Sequence, residues 1–214
     1  GETPTLALIG YTNAGKSTFF NRLTGAGVLS KDMLFATLDP TMRGLEFASG
    51  RTAVIADTVG FISQLPTELV EAFKSTLEEV VQADVLVHVH DASSPMIAEE
   101  AEDVQSVLAD LGIDEEDRAG RVIHILNKAD KVPTPDRQAL ANMFPNSVFT
   151  SALTGEGVET ALAAIDAHLG AGAIAVVLEL GPADGAARAW LYAHSRVTSS
   201  EFAEDGAQTL SLVI

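Results

Sequence analysis

Three short segments of the chain combine glycines with polar residues at spacings that suit a nucleotide. They are "GYTNAGKS" at 10–17, "DTVG" at 57–60 and "NKAD" at 127–130, and each follows an apolar run typical of a buried strand. A glycine-rich turn before a helix directs backbone amides at phosphate oxygens, and an adjacent lysine neutralises their charge. Together these segments predict a site for a nucleoside triphosphate.

The first segment has the phosphate-loop pattern G-x-x-x-x-G-K-S between a strand and a helix. Gly10 and Gly15 permit the tight turn, Lys16 is predicted to neutralise the β- and γ-phosphates, and the Ser17 hydroxyl to ligate Mg²⁺. A chance glycine-rich loop is the alternative, and the flanking strand and helix argue against it. The residues predicted to contact the nucleotide here are Gly10, Tyr11, Thr12, Asn13, Ala14, Gly15, Lys16, Ser17 and Thr18.

The "NKAD" segment suits guanine. A carboxylate at Asp130 can accept from both the N1–H and the exocyclic amine, a pair that adenine lacks, and the stem of Lys128 can lie over the base. The later "SAL" at 151–153 follows the strand "SVFT" and offers a backbone amide to the guanine carbonyl. The predicted base-binding residues are Asn127, Lys128, Ala129, Asp130, Ser151, Ala152 and Leu153.

Two further segments have the character of switches that sense the terminal phosphate. In "DTVG", Asp57 is predicted to hold Mg²⁺ through a water, and the Gly60 amide to bond the γ-phosphate, with Thr58 and Val59 between them. In "LFATLDPT" at 34–41, the hydroxyl of either Thr37 or Thr41 can complete the metal sphere. Phe61 stands where related hydrolases place a glutamine, and it has no polar group to orient water.

Strand and helix patterns alternate along most of the chain. They predict an α/β fold with a mostly parallel sheet covered by helices on both faces. Together with the phosphate-loop and guanine segments, we expect a P-loop GTPase fold with a sheet of six strands. The composition shifts at "GAGA" (170–173), after which the pattern is strand, helix, strand, strand. We therefore expect a nucleotide-binding domain at 1–172 and a small α+β domain at 173–214.

The amino-acid composition limits which binding partners and which cellular compartment are expected. The formal net charge of -17 disfavours DNA, because phosphate contacts need Lys or Arg. No run approaches the ~18 consecutive apolar residues of a membrane span, so integral membrane association is not expected. The chain has no cysteine, which agrees with an expected cytoplasmic location.

The segments also resemble one family closely. "GYTNAGKSTFFNRLTGA", "LFATLDPTMR", "DTVGFISQLPTELVEAFKSTLEEVVQADVLVHVHDAS", "NKAD" and "SAL" are similar to the GTPase domain of the HflX family, translation-associated GTPases related to the Era and Obg groups. The resemblance covers most of residues 5–170, and 173–214 is similar to that family's small C-terminal region. The family's N-terminal domain and helical linker are expected to be missing here.

The resemblance implies a Mg²⁺-dependent GTPase that binds GTP and GDP and acts on the large ribosomal subunit. It selects Thr37 over Thr41 as the second Mg²⁺ ligand, and implies that Lys16, Thr37 and Gly60 serve catalysis. It places the first switch at Phe35, Ala36, Thr37, Leu38 and Asp39. The resemblance also accounts for Phe61, because members of the family have a hydrophobic residue in place of the glutamine.

Two questions stay open at this point. In related GTPases with "GxxNxGKS", the asparagine ligates K⁺, so K⁺ at Asn13 or a ribosomal group could supply what Phe61 cannot; alternatively Asn13 only caps the loop. The second question is whether the protein acts through its hydrolysis of GTP. The alternative is a GTP-gated binding module of another Era/Obg-like role, with tRNA or another RNA as partner and little turnover.

Several other residues are predicted to be structural. His88 and His90 share one face of a strand, but no further ligand is evident nearby, so a packed or surface pair is expected, and likewise for His124. Trp190 and Leu191 are expected in the core of the C-terminal domain. Arg43 begins a strand, which disfavours it as an arginine finger.

Overall fold

The computed structural model describes residues 3–26, 42–58, 74–171, 175–203 and 206–213. The chain divides into two compact units, Thr3–His168 and Leu169–Ile214, the latter grouped with Gly1–Glu2. The domain boundary predicted at 172/173 falls between the described ranges and stays a prediction.

The larger unit alternates strands and helices, as the sequence patterns predict. Its strands are β1 (Thr5–Gly10), β2 (Met42–Glu46), β3 (Thr52–Asp57), β4 (Val85–Asp91), β5 (Val122–Asn127) and β6 (Val148–Phe149). Its helices are α1 (Lys16–Ala26), α2 (Lys74–Gln82), α3 (Ile97–Asp110), α4 (Glu115–Arg121), α5 (Thr134–Met143) and α6 (Val158–Gly170), with a 3₁₀ turn at Ala129–Lys131.

The six strands form one sheet in the order β2-β3-β1-β4-β5-β6. Strand β2 pairs antiparallel with β3, and every other neighbouring pair is parallel. The predicted α/β fold is therefore confirmed. Because parallel strands end at the same edge, Gly10, Asp57, Asp91 and Asn127 all lie at the carboxyl edge of adjacent strands. In open α/β sheets this edge is where ligands bind.

The central strands are buried on both faces, as parallel strands covered by helices require. Ala7 and Ile9 of β1 pack into one cluster with Leu77 of α2 and Val104 and Leu108 of α3. Side chains alternate along a strand, so Leu6 and Leu8 point to the opposite face, and both are fully buried. This packing fixes the sheet edge on which the polar residues stand.

Helix α4 was not predicted from the sequence. Asp114 caps its N-terminus by accepting a hydrogen bond from the Asp117 amide at 2.9 Å. Acidic residues fill the first turn, and Arg118 and Arg121 fill the last, which complements the helix dipole. The helix was overlooked because none of its residues is buried, so it has no apolar periodicity.

The smaller unit has the predicted elements β7 (Ala175–Leu180), α7 (Gly185–His194), β8 (Arg196–Phe202) and β9 (Gln208–Val213). They form an antiparallel sheet in the order β7-β9-β8. Leu180, Leu191, Leu210 and Leu212 make its buried cluster. The expectation for Trp190 was wrong: its side chain is 57% exposed and stacks on His194. Neighbouring helical residues point about 100° apart, so only Leu191 faces the sheet.

Among the described residues, no helix combines the length and apolar character needed to span a membrane.

Candidate functional site

The turn between β1 and α1 is built so closely that two of its positions accept only glycine. A Cβ on Gly10 would stand 2.5 Å from the backbone carbonyl oxygen of Val89, and one on Gly15 would stand 2.7 Å from Nδ2 of Asn127. Gly15 also has φ of +82°, the left-handed region that glycine favours. The glycines predicted for a phosphate loop therefore have specific steric reasons in this fold.

The predicted "NKAD" segment at 127–130 contacts this turn directly. Nδ2 of Asn127 donates to the carbonyl oxygen of Ala14 at 3.0 Å, and Nζ of Lys128 donates to that of Asn13 at 2.6 Å. The turn is closed internally by the Ala14 amide, which donates to the Tyr11 carbonyl at 3.0 Å. The "GYTNAGKS" and "NKAD" segments are thus one hydrogen-bonded unit, although Ala14 and Asn127 are 113 positions apart in the sequence.

Lys16, Ser17 and Asp57 meet at the start of α1. The Lys16 ammonium forms an ion pair with Asp57 and donates to the carbonyl oxygen of Thr58, with only 6% of the lysine exposed. The Ser17 hydroxyl donates to Oδ2 of Asp57 at 3.1 Å. The Thr58 hydroxyl in turn donates to the carbonyl oxygen of Leu8 and ties this strand end to β1.

This cluster fits a magnesium ion. Mg²⁺ prefers oxygen ligands and is usually held by one or two protein groups together with phosphates and waters. A hydroxyl and a carboxylate in mutual contact, next to a lysine that can neutralise phosphate, supply that donor set.

The predicted "SAL" segment at 151–153 joins the same hydrogen-bond network. Oδ1 of Asn127 accepts from the Ala152 amide at 3.0 Å and from the Thr150 hydroxyl at 3.3 Å. The Ala129 amide donates to the carbonyl oxygen of Thr150 at 2.9 Å. Asn127 is 2% exposed, so its side-chain amide is a buried joint between 10–17, 127–130 and 151–153.

The residues around this joint leave their functional groups accessible. Asp130 lies exposed in the 3₁₀ turn after β5, and Leu153 is 73% exposed. Lys128 adopts φ of +61°, a left-handed conformation that turns the chain sharply between Asn127 and Asp130. Tyr11 is half-buried, whereas Thr12, Asn13, Ser17 and Thr18 are exposed along the loop and the first turn of α1.

Two residues of the site were not predicted. Asp91, at the end of β4, forms an ion pair with Lys128 at 2.9 Å. Burial alone would raise its pKa, but hydrogen bonds from Ser93 and Lys128 outweigh burial and lower the pKa below its usual value. Its place after an apolar strand, like that of Asn127, was the available signal.

The other unpredicted residue is Arg22, on α1. Its Nε donates to the carbonyl oxygen of Ala152 at 3.0 Å, and Nη2 donates to that of Leu153 at 2.8 Å. A cavity of about 500 Å³ lies beside it, lined by Thr18, Asn21, Arg22, Gly25 and Ala152. No sequence pattern indicated this arginine, because the contact joins residues 130 positions apart.

Some predicted residues lie outside the described ranges. These are Phe35, Ala36, Thr37, Leu38, Asp39, Val59 and Gly60, together with Thr41 and Phe61. Arg43 is described, and its guanidinium lies 5.7 Å from the centre of the Phe20 ring.

Comparison with known proteins finds two families along the chain. The family described as "50S ribosome-binding GTPase" matches residues 5–128, and that described as "HflX C-terminal domain" matches residues 138–214. The GTPase HflX of Magnetococcus marinus is 43% identical over 201 residues, which are 94% of this chain and 46% of that protein. The GTPase HflX of Escherichia coli is 40% identical over 215 residues, 99% of this chain and 49% of that protein. This chain thus spans about half the length of these curated relatives.

Solved structures agree with the fold. A GTP-binding protein from the archaeon Sulfolobus solfataricus, in complex with GDP, has a TM-score of 0.61 and 26% identity, covering 77% of this chain and 52% of that one. The G domain of the Thermotoga maritima FeoB iron transporter has a TM-score of 0.54 and 25% identity, covering 78% and 99%.

Proposed function

Because the chain belongs to the HflX family of GTPases, we propose that it binds GTP and hydrolyses it to GDP and phosphate. The observation that carries this proposal is the joint at Asn127, which links the predicted phosphate loop to both predicted guanine segments. A nucleotide carries its phosphates and its base at opposite ends of a ribose, so a site that binds both ends needs its two halves held at a fixed distance.

The phosphate end is assigned to the chain from Gly10 to Thr18. Backbone amides of the loop and the N-terminus of α1 face the phosphates, and Lys16 is the cation that neutralises them. Its present partners, Asp57 and the Thr58 carbonyl, are the groups with which phosphate oxygens compete. Ser17 and Asp57 would hold Mg²⁺, with Thr37 as a further ligand. When bound, the metal neutralises charge that develops on the phosphate oxygens.

The base end is assigned to 127–130 and 151–153. The exposed Asp130 carboxylate accepts from two nitrogen donors of guanine, and a backbone amide of 151–153 contacts the guanine carbonyl. Arg22 holds the carbonyls of Ala152 and Leu153 and so positions that segment. An adenine base would leave Asp130 without its donors, so we expect strong preference for GTP over ATP.

The attack of water needs a group that Phe61 does not have. Gly60 is assigned to the γ-phosphate through its amide, and Thr37 to the first switch. We assign the missing positive charge to K⁺ at Asn13, whose side chain is exposed and whose backbone carbonyl is fixed by Lys128. The competing assignment is a group supplied by the ribosome, in which case Asn13 only caps the loop.

The physiological partner in the proposal is the large ribosomal subunit, supported by the family description "50S ribosome-binding GTPase". GTP would order the segments 34–42 and 57–66, and hydrolysis would release them. A GTP-gated binding module, in which hydrolysis only resets affinity, uses the same residues. A Thr37→Ala variant separates the two roles when GTPase rate and ribosome release are measured side by side.

The proposal is tested by GTP turnover with and without large ribosomal subunits, in K⁺ and in Na⁺. Lys16→Ala should lower turnover by about a hundredfold or more, since a charge-stabilising donor is lost. Lys131→Ala, an exposed lysine near the base segment, is the matched control and should keep its rate. GTPase activity unaffected by Lys16→Ala contradicts the proposed site. Equal rates in K⁺ and Na⁺ contradict the role of Asn13, and no stimulation by subunits contradicts the ribosomal role.

A further inference from the structure

Three histidines converge on one face of the sheet beneath the nucleotide edge. His88 and His90 alternate on β4, so they share a face, and the parallel register pairs His88 with His124 on β5. The sequence suggested no third ligand for the pair on β4, because His124 is 34 residues away from His90. The pairing of neighbouring strands supplies it.

The three rings are in direct contact. Nε2 of His90 and Nδ1 of His124 are 2.9 Å apart, and the rings of His88 and His90 stack with their centres 3.8 Å apart. One ring nitrogen from each histidine lies within 4.8 Å of those of the other two. His88 and His90 are 2% and 4% exposed, so this is a buried imidazole cluster rather than a surface pair.

We propose that His88, His90 and His124 form a binding site for a divalent transition cation of borderline softness, with Zn²⁺ as the best match. Imidazole nitrogens are preferred ligands of Zn²⁺ and poor ligands of Mg²⁺. Three protein nitrogens with one open position is a common arrangement for zinc. This site is separate from the oxygen ligands at Ser17 and Asp57, and it does not depend on GTP hydrolysis.

The geometry needs only side-chain adjustment to close around an ion. At a Zn–N distance of about 2.0–2.1 Å, tetrahedral ligand atoms lie about 3.3 Å apart. The contact between His90 and His124 must open by a few tenths of an ångström, and the widest separation of 4.8 Å must shrink. Both changes would have to come from rotation of the imidazole rings, of which those of His90 and His124 also pack against Phe144.

Burial favours the neutral form of the three imidazoles. Burial lowers the pKa of His88 well below its ordinary value, and burial with repulsion from His124 lowers that of His90 to about 3. Burial also lowers the pKa of His124. Metal binding requires the neutral imidazole, and these shifts favour that form.

A cavity beside the cluster offers a route for the ion and room for a further ligand. His88 and His124 line a cavity of about 360 Å³ together with Gln105, Glu115 and Arg118. Glu115 brings a carboxylate to the same cavity, and a water could fill the open position instead. Arg118, the cation in this lining, donates to the carbonyl oxygen of Ile113 at 3.0 Å. Glu115 and Arg118 bring one negative and one positive charge to the lining, so together they add no net charge beside the ion.

The test uses Co²⁺ as a spectroscopic probe for Zn²⁺ in the whole chain, with excess Mg²⁺ to occupy oxygen-ligand sites. The absence of cysteine means that visible absorption of four-coordinate Co²⁺ would report nitrogen and oxygen ligands without thiolate bands. Affinity and stoichiometry are measured by titration, with Zn²⁺ as the competitor. The variants are His90→Gln and His124→Gln, and the control is His194→Gln, an exposed histidine of α7.

We expect a single ion per chain, displaced by Zn²⁺ and not by Mg²⁺. His90→Gln and His124→Gln should each weaken binding by about tenfold or more, and His194→Gln should not change it. Circular dichroism checks that each variant folds. If His90→Gln does not fold, the test rests on His124→Gln, because His124 is less buried. The proposal is overturned if Co²⁺ does not bind, if Mg²⁺ displaces it, or if the folded His124→Gln variant binds Co²⁺ with unchanged affinity.

Discussion

At the scale of single residues, Asp130 offers a sharp test of base recognition. Asp130→Asn replaces an acceptor by a side chain that can also donate, which disfavours the amine of guanine and suits the carbonyl that xanthine has in its place. A hydrogen bond to a charged group contributes about 1.5–3 kcal/mol, so affinity for GDP should fall by about ten- to a hundredfold.

The measurement is competition between GDP and XDP for a fluorescent nucleotide, and affinity for XDP should rise in the variant. Asp136→Asn, an exposed aspartate of α5, is the matched control and should keep the preference for GDP. Unchanged preference in Asp130→Asn would remove Asp130 from the base site.

The buried histidines make stability depend on pH. In the unfolded chain a histidine binds a proton below about pH 6.5, whereas His90 in the folded chain stays neutral until about pH 3. The unfolded state therefore binds more protons in this window, and the free energy of unfolding decreases as pH falls below about 6.5. At pH 5.5 the loss from His90 alone should be about 1 kcal/mol.

Urea unfolding measured from pH 7.5 to pH 5 in the presence of EDTA checks this expectation. His90→Gln should flatten the pH dependence, because glutamine does not titrate, and His194→Gln should leave it unchanged. Parallel pH profiles for His90→Gln and the unaltered chain would be inconsistent with a neutral, buried His90.

At the scale of elements, Arg22 joins helix α1 to the 151–153 segment by two hydrogen bonds. Arg22→Ala should loosen that segment and speed release of GDP by about tenfold, since two charge-assisted bonds are lost. Arg22→Lys should not restore the rate, because an ammonium lacks the planar fork that spans both carbonyls.

Stopped-flow release of a fluorescent GDP measures the effect. Arg51→Ala is the matched control, because Arg51 pairs with Asp166 at 3.0 Å and directly precedes β3, at the opposite end of that strand from Asp57. Equal release from Arg22→Ala and Arg51→Ala would contradict a positioning role for Arg22.

The turn after the 151–153 segment depends on Gly157. It has φ of +71°, and a Cβ there would lie 2.0 Å from the carbonyl oxygen of Phe149. Gly157→Ala should lower the free energy of unfolding by about 1–3 kcal/mol or more, from backbone strain and the clash. Gly120→Ala in α4 meets no atom within 4 Å and should be neutral or raise it by about 0.5–1 kcal/mol. Thermal and urea unfolding of the pair give both values, and similar losses in both variants would contradict the steric argument.

At the scale of the whole molecule, the two units raise the question of which one binds nucleotide. All the described residues assigned to GTP lie within Thr3–His168. The match to the HflX C-terminal domain, however, begins at residue 138, inside that larger unit. A fragment of residues 1–171 keeps every described residue of the site and ends just after α6, at Gly170.

We expect this fragment to fold and to bind GDP with the affinity of the whole chain, because its sheet and core are complete within the larger unit. Circular dichroism and nucleotide titration measure both properties. A folded fragment with lost affinity would show that 172–214 contributes to the nucleotide site, and an unfolded one would show that the larger unit depends on the smaller.

Much of the fold followed from the sequence for physical reasons. Apolar runs such as "TLALIG" and "DVLVHVHD" must be buried on both faces, so they predict a parallel sheet, and the "GYTNAGKS" turn predicts where α1 begins. Helix α4 was missed because it buries no residue, and Trp190 was misjudged because apolar character does not tell which side of a helix faces the sheet.

The sequence by itself determined the segments that carry chemistry, since each is contiguous and its spacing is set by the local backbone. Only the tertiary structure decided how they combine: Asn127 as a joint, Arg22 as a brace, Asp91 as the partner of Lys128, and His124 as the third member of a histidine cluster. These contacts depend on strand order and register. Both are set by packing over the whole sheet, so no short stretch of sequence contains them.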